Sequence, residues 1–157
     1  MAYVDRNLTV SGVLSGTTWT GQSIVGTGNI VSTDSIDLSQ QRDIGAGSEY
    51  PTLHAIIGTA VAGGTSVEIQ VITADNDALT TNPTVVGSSG AVPVAQLTAG
   101  ARFAVFINPQ LMGRTARRFL GARYVVTGTN TTGTVVSHFG LDVQDGQRFY
   151  ASGFAVA

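Results

Sequence analysis

The groups in this chain that could do chemistry are few. Its two histidines, His54 and His138, stand in apolar runs, LHAII and VVSHFG. A histidine acts as a general base only when a proton donor and an orienting group lie within hydrogen-bond reach. A lone histidine inside a strand reads instead as a structural or surface residue. Gly87-Ser88-Ser89-Gly90 has the wrong spacing for the glycine-flanked serine of a hydrolase elbow. Gly26-Thr27-Gly28 and Gly45-Ala46-Gly47 lack the third glycine and following helix of a dinucleotide site. Asp75 and Asp77 resemble the start of a calcium loop, without its glycine and closing glutamate, so Asp75-Asn76-Asp77 reads as a turn. Glu68 reads as a solvated carboxylate with no acid/base partner. Cysteine is absent, which removes disulfides and thiolate ligands. These residues imply no catalytic, cofactor or metal site, and a chain that is not an enzyme.

The arginines carry more information. All eight cations are arginine, and Arg114, Arg117, Arg118 and Arg123 fall within ten residues. Arg117, Phe119 and Arg123 share one parity of a run whose other parity is Leu120, Ala122, Tyr124 and Val126. Arginine and aromatic residues are enriched in protein interfaces and lysine is depleted. The face holding Arg117, Phe119 and Arg123 is therefore a candidate protein interface.

The elements that must position these residues are strands. Val67, Ile69 and Val71 alternate with Glu68 and Gln70, a period of two with one face buried. Strands are expected at Leu53–Val61, Thr65–Thr73, Thr84–Val86 continuing to Val94, Ala101–Ile107, Arg117–Thr127 and Thr134–Leu141. Ala62-Gly63-Gly64 reads as a tight hairpin turn, and Gly128–Gly133 as a second turn after which the chain pairs back. Pro93 cannot donate to a ladder, which puts its strand at an edge or breaks it there. No amphipathic helix stands out. Many short strands between turn signals describe an all-β, jelly-roll-type β-sandwich. Residues 35–157 form that domain. Residues 1–34, rich in Gly, Ser and Thr, read as an extended N-terminal arm with a short strand or two. Its isolated anchors Tyr3, Leu8, Trp19 and Ile24 are expected to order against a partner.

At 157 residues the chain is one domain, able to bury roughly 70% of its unfolded surface. Only 11% of residues are charged and the net charge is −2, which gives no electrostatic basis for binding nucleic acid. No apolar run approaches the roughly 20 residues of a membrane span. The N-terminus lacks the basic and apolar regions of a signal peptide, so synthesis in a cytoplasm is expected.

The opening AYVDRNLTVS, the segment IDLSQQRDIGAG, SVEIQVITADND followed by an NPT loop, RFLGARYVVTG and the ending DGQRFYASGF occur in that order. Together, across most of the chain, they resemble the cement (decoration) proteins that coat the capsids of some short-tailed bacteriophages. The resemblance implies a jelly-roll subunit that forms homo-oligomers, dimers rather than trimers, and clamps neighbouring major capsid proteins from outside. It implies a virion protein of the outer capsid surface, made in the host bacterial cytoplasm. The alternative is a carbohydrate-binding jelly-roll module of a phage adhesin, with Trp19, Tyr50 or Tyr150 as stacking platforms.

Overall fold

A computed structural model of the chain describes residues 6–15, 18–40 and 51–140. The strands are β1 (Thr9–Ser11), β2 (Val13–Ser15), β3 (Thr18–Thr20), β4 (Gln22–Ser23), β5 (Gly26–Val31), β6 (Ile36–Asp37), β7 (Thr52–Ala62), β8 (Ser66–Ala74), β9 (Thr84–Pro93) and β10 (Arg102–Phe106). A helix, α1 (Pro109–Thr115), then precedes β11 (Phe119–Asn130) and β12 (Thr132–Gly140). The first sheet runs β1-β12-β7-β10, with β4 also on β12; the second runs β5-β11-β8-β9, with β6 also on β11. All the pairings are antiparallel. The fold is an all-β sandwich of jelly-roll type, as the alternation implied.

The parity read from sequence decides what faces inward. Leu53, Ala55 and Ile57 of β7 and Val135 and Phe139 of β12 meet Val67, Ile69 and Val71 of β8 and Leu120, Ala122 and Val126 of β11 in one core. Tyr124 crosses that core: its hydroxyl lies 2.8 Å from Ser11 Oγ and 2.7 Å from Ser137 Oγ. The phenol is fully buried, and burial pushes its pKa up to about 12. Both serines belong to the first sheet and Tyr124 to the second, so this trio ties the two layers through hydrogen bonds that a buried hydroxyl requires.

Two expected hairpins are corners instead. β7 and β8 lie in different sheets, as do β11 and β12. The chain turns at Gly63, whose φ of +94° suits glycine, and passes from one layer to the other. The two corners then bond each other: Thr65 N–H donates to the Thr127 carbonyl and Thr131 N–H to the Ala62 carbonyl. A side chain at Gly63 would run into the backbone carbonyl of Thr129 and the side chain of Thr131, which fixes the close approach.

The N-terminal stretch is extended, but its described strands belong to the sandwich. β1 and β4 pair with β12, and β5 pairs with β11, so the stretch contributes to both sheets. Residues 32–34 cross between them: Ser32 N–H donates to the Ala122 carbonyl and Asp34 N–H to that of Val10. A boundary at residue 34 therefore does not divide an arm from the domain. On the opposite side, Asn108 N–H donates to the Val86 carbonyl, linking the β10 end to the edge strand β9. Both sides of the sandwich are thus joined by the chain itself, which protects strand edges from adventitious pairing.

α1 was not expected from sequence, being seven residues long. Asn108 caps it, its side chain accepting from Gln110 N–H, and Pro109 occupies the first turn. β9 runs unbroken from Thr84 to Pro93 on the edge of the second sheet, as expected for a strand carrying that proline, with register shifts against β8 within it.

Candidate interaction surfaces

Arg117, Phe119 and Arg123 do stand on the outward face of the second sheet, and each has partners within the chain. Arg117 Nη1 lies 3.2 Å from both carboxylate oxygens of Asp75. Arg123 Nε donates to Gln70 Oε1 at 2.8 Å, Gln70 Nε2 donates to Glu68 Oε1 at 2.7 Å, and Ser88 Oγ donates to the same oxygen at 2.6 Å. This ladder spans β11, β8 and β9. The hydrogen bonds from Gln70 and Ser88 hold the Glu68 carboxyl below its ordinary pKa. Glu68 is thus a structural acceptor.

Phe119 belongs to a second, smaller core on that outer face. The loop from Asp75 to Pro83 folds back over the sheet and buries Leu79 against Ile72 and Ala74, with Val31, Val85 and Phe119 packed at its margin. Asn76 Oδ1 shapes the loop by accepting from Thr80 N–H at 2.9 Å and Thr81 N–H at 2.8 Å. The Asp75-Asn76-Asp77 turn is thus the side-chain-capped turn that the sequence suggested. A side chain at Gly121 would meet Leu79 Cδ1, so the glycine makes room for the loop.

Arg118, beside these residues, makes the tightest ion pair of the described surface. Its Nε and Nη2 donate to the two carboxylate oxygens of Asp37 at 2.8 and 2.7 Å, and its guanidinium lies 5.0 Å from the Phe119 ring centroid. The pair fastens β6 to β11. Hydrogen bonding by Arg118, with help from Ser39 N–H, holds the Asp37 carboxyl at about 2, below the ordinary 3.8. A carboxyl with a depressed folded-state pKa stabilises the fold above its unfolded pKa; that contribution fades as pH falls toward about 2. In a carboxyl-detected NMR titration, Arg118→Gln should move the Asp37 midpoint back toward 3.8. An unmoved midpoint would show that Arg118 does not hold the charge.

The N-terminal anchors separate. Ile24 is 1% exposed and sits in the main core, its N–H bonded to the Gly133 carbonyl. It is a core residue and not an interface anchor, because β4 and β5 hold it against β12 and β11. Leu8 is half-buried against the core and lines an apolar groove of about 260 Å³ with Ile36, Leu38, Leu120 and Phe139. Trp19 is 36% exposed on the β2–β3 hairpin, opposite Leu14. Tyr3, Tyr50 and Tyr150 lie outside the described residues.

Sequence reasoning missed the other exposed apolar side chains: Phe106 at 71%, Val13 at 56%, Val25 at 49% and Leu111 at 39%. Phe106 ends β10, one edge of the first sheet, and Leu111 is on the helix that follows. Val25 follows β4, which pairs with β12 on the side away from β10, and Val13 opens the β2–β3 hairpin between β1 and β4 in the chain. The signal for Phe106 was in the sequence: in RFAVFIN it takes the parity opposite Phe103, Val105 and Ile107.

His54 and His138 meet on the outward face of the first sheet, at opposed positions of β7 and β12, with ring centroids 5.4 Å apart. Both are buried. Among the described residues no three His, Cys, Asp or Glu side chains converge as metal ligands, and no helix is long and apolar enough to cross a membrane. Residues 19–139 match the family model described as Bbp16. No curated protein matches the chain.

Proposed function

The chain belongs to the Bbp16 family, and we propose that it is a structural virion protein that binds the outside of a bacteriophage capsid and cements neighbouring major capsid protein subunits. The observation that carries this reading is that exposed apolar side chains stand on well-separated parts of the sandwich: Phe106 at the end of the edge strand β10, Leu111 on the helix after it, Val13 on the β2–β3 hairpin and Val25 in the link from β4 to β5. A clamp must touch two neighbours, and one contact surface cannot do that. Exposed apolar side chains on separate parts of a sandwich can, since apolar side chains left in water gain by burial against a partner. The sequence resemblance supplies the partner class, the shell protein, and the homo-oligomer, with a dimer favoured. A modest affinity at each contact suffices on a closed shell, because the release of one contact leaves the others engaged.

The test is co-sedimentation of the purified chain with assembled shells that lack it. The chain should saturate the shells at copy numbers comparable to the shell protein and raise their disruption temperature. Burying a phenylalanine contributes about 1.5–3 kcal/mol, so Phe106→Ser should weaken binding roughly ten- to hundredfold. Its own melting temperature should hardly change, since the ring is mostly exposed. Val25→Ser should weaken binding as well. Failure of the wild-type chain to sediment with shells would overturn the reading.

A further inference from the structure

The β2–β3 hairpin leaves the first sheet between β1 and β4 and folds over the turn at Asp34-Ser35. Between them is a cleft of about 420 Å³, within the usual size range of small-ligand sites. Its lining is of two kinds. The hairpin supplies Trp19 and its cross-strand neighbour Leu14, which share a face. The rest of the lining includes Val13 of the hairpin and the polar residues Asn7, Thr9, Asp34 and Ser35.

We infer that this cleft binds a saccharide, specifically a neutral pyranose. A pyranose has an apolar C–H face and a rim of hydroxyls, and needs one flat apolar platform with hydrogen-bonding groups around it. An indole is the largest such platform a chain can offer, and its electron-rich face suits polarised C–H groups. A carboxylate accepts from two neighbouring hydroxyls at once, and charge-assisted hydrogen bonds are stronger than neutral ones. The same carboxylate repels a uronic or sialic acid, which selects for an uncharged sugar. The Ser35 side chain can both donate and accept, as hydroxyl recognition requires. The hydrogen bonds described for Asp34 run through its backbone, to Val10 and Ser32, so the turn is held without its side chain. This assigns Trp19 to a ligand other than the shell. Val13 borders this cleft as well as serving the capsid reading, so the two are told apart at Val25 and Phe106, which lie outside the cleft.

Trp19 is the single tryptophan of the chain, so fluorescence excited at the red edge, where the four tyrosines do not absorb, reports on the cleft alone. Glucose, galactose, mannose and N-acetylglucosamine, as monosaccharides and β-linked disaccharides, are titrated into the full-length free chain, with glucuronic and sialic acids as the anionic arm. At least one neutral sugar should give a saturable change in emission. Asp34→Asn should weaken that sugar tenfold or more with the melting temperature unchanged, and should narrow its advantage over the anionic arm. Trp19→Ala should abolish binding by calorimetry, and Trp19→Phe should restore part of it. If Trp19→Ala does not fold, Asp34→Asn still decides the matter. No saturable change with any neutral sugar at high millimolar concentration would overturn the inference. So would binding unaffected by Asp34→Asn, or stronger binding of the anionic sugars.

Discussion

Removing residues 1–30 is expected to abolish the fold. The deletion takes β1 through β4 and nearly all of β5, and so removes edge strands from both sheets. Val10 and Ile24 leave the core, at about 1.5–3 kcal/mol each for fully buried aliphatic side chains. Ser11 leaves Tyr124, whose buried hydroxyl keeps only Ser137. The outer edge of β11 loses its ladder from Tyr124 to Val126 and at Asn130, so backbone groups built to be paired face solvent or an open core. A domain of this size has a net stability of only about 5–15 kcal/mol, and the two core side chains alone account for about 3–6 kcal/mol of it before the lost ladders are counted. The truncated chain should give no dispersed amide spectrum and no cooperative thermal transition. A truncated protein that melts like the intact one would show that the N-terminal strands are accessory, and would restore the free arm suggested by their composition.

That composition hides the strands of this stretch. GTGNIV offers two glycines, a threonine and an asparagine where a strand usually shows alternating apolar residues. As an edge strand, β5 buries little along its own length: its value lies in closing the ladder of β11 and in carrying Ile24 into the core just before it. Neither is visible in local periodicity. The strands of the sandwich proper were legible because Val67, Ile69 and Val71, and Leu120, Ala122 and Tyr124, each keep one parity inward. Their partners were not. Glycine-rich turns at Gly63 and at Gly128–Gly133 look alike whether the chain returns in the same sheet or crosses to the other. The choice rests on contacts between the two corners, Thr65 with Thr127 and Thr131 with Ala62, more than sixty residues apart. The candidate site fared in the same way. Parity put Arg117, Phe119 and Arg123 on the outer face correctly, but could not show that Asp75, Leu79 and Gln70 already meet them there.

Leu79→Ala is expected to destabilise the protein by about 2–5 kcal/mol, the cost of emptying a fully buried leucine site. The loss is large for a loop residue because Leu79 is the only loop side chain in the cluster with Ile72 and Ala74. Those two residues take the outward parity of β8, where Glu68 and Gln70 also stand. The alternation of SVEIQVITA breaks at Ile72 because both faces of the strand end are covered. With alanine at 79, the space over Gly121 stays open, since the loop is held in place by Asn76 and the Asp75–Arg117 pair and cannot collapse far. The midpoint of denaturant unfolding should fall with its slope unchanged, and the melting temperature should drop about 2–4 °C per kcal/mol. Phe119→Ala, at the half-buried margin, should cost less but still lower stability, which a residue serving only an interface would not do. Leu79 also has a positive φ of +57°, where a β-carbon is strained by roughly 1–2 kcal/mol. Leu79→Gly opens the same void and relieves that strain, which offsets the roughly 0.5–1 kcal/mol entropic penalty glycine usually carries. It should therefore be no more destabilising than Leu79→Ala, a reversal of the usual order at buried sites. A glycine variant clearly weaker than the alanine variant would mean that residue 79 does not hold the left-handed conformation that seats it over Gly121. Wild-type stability in Leu79→Ala would mean that the loop does not cap this face, and would return Phe119 to the interface.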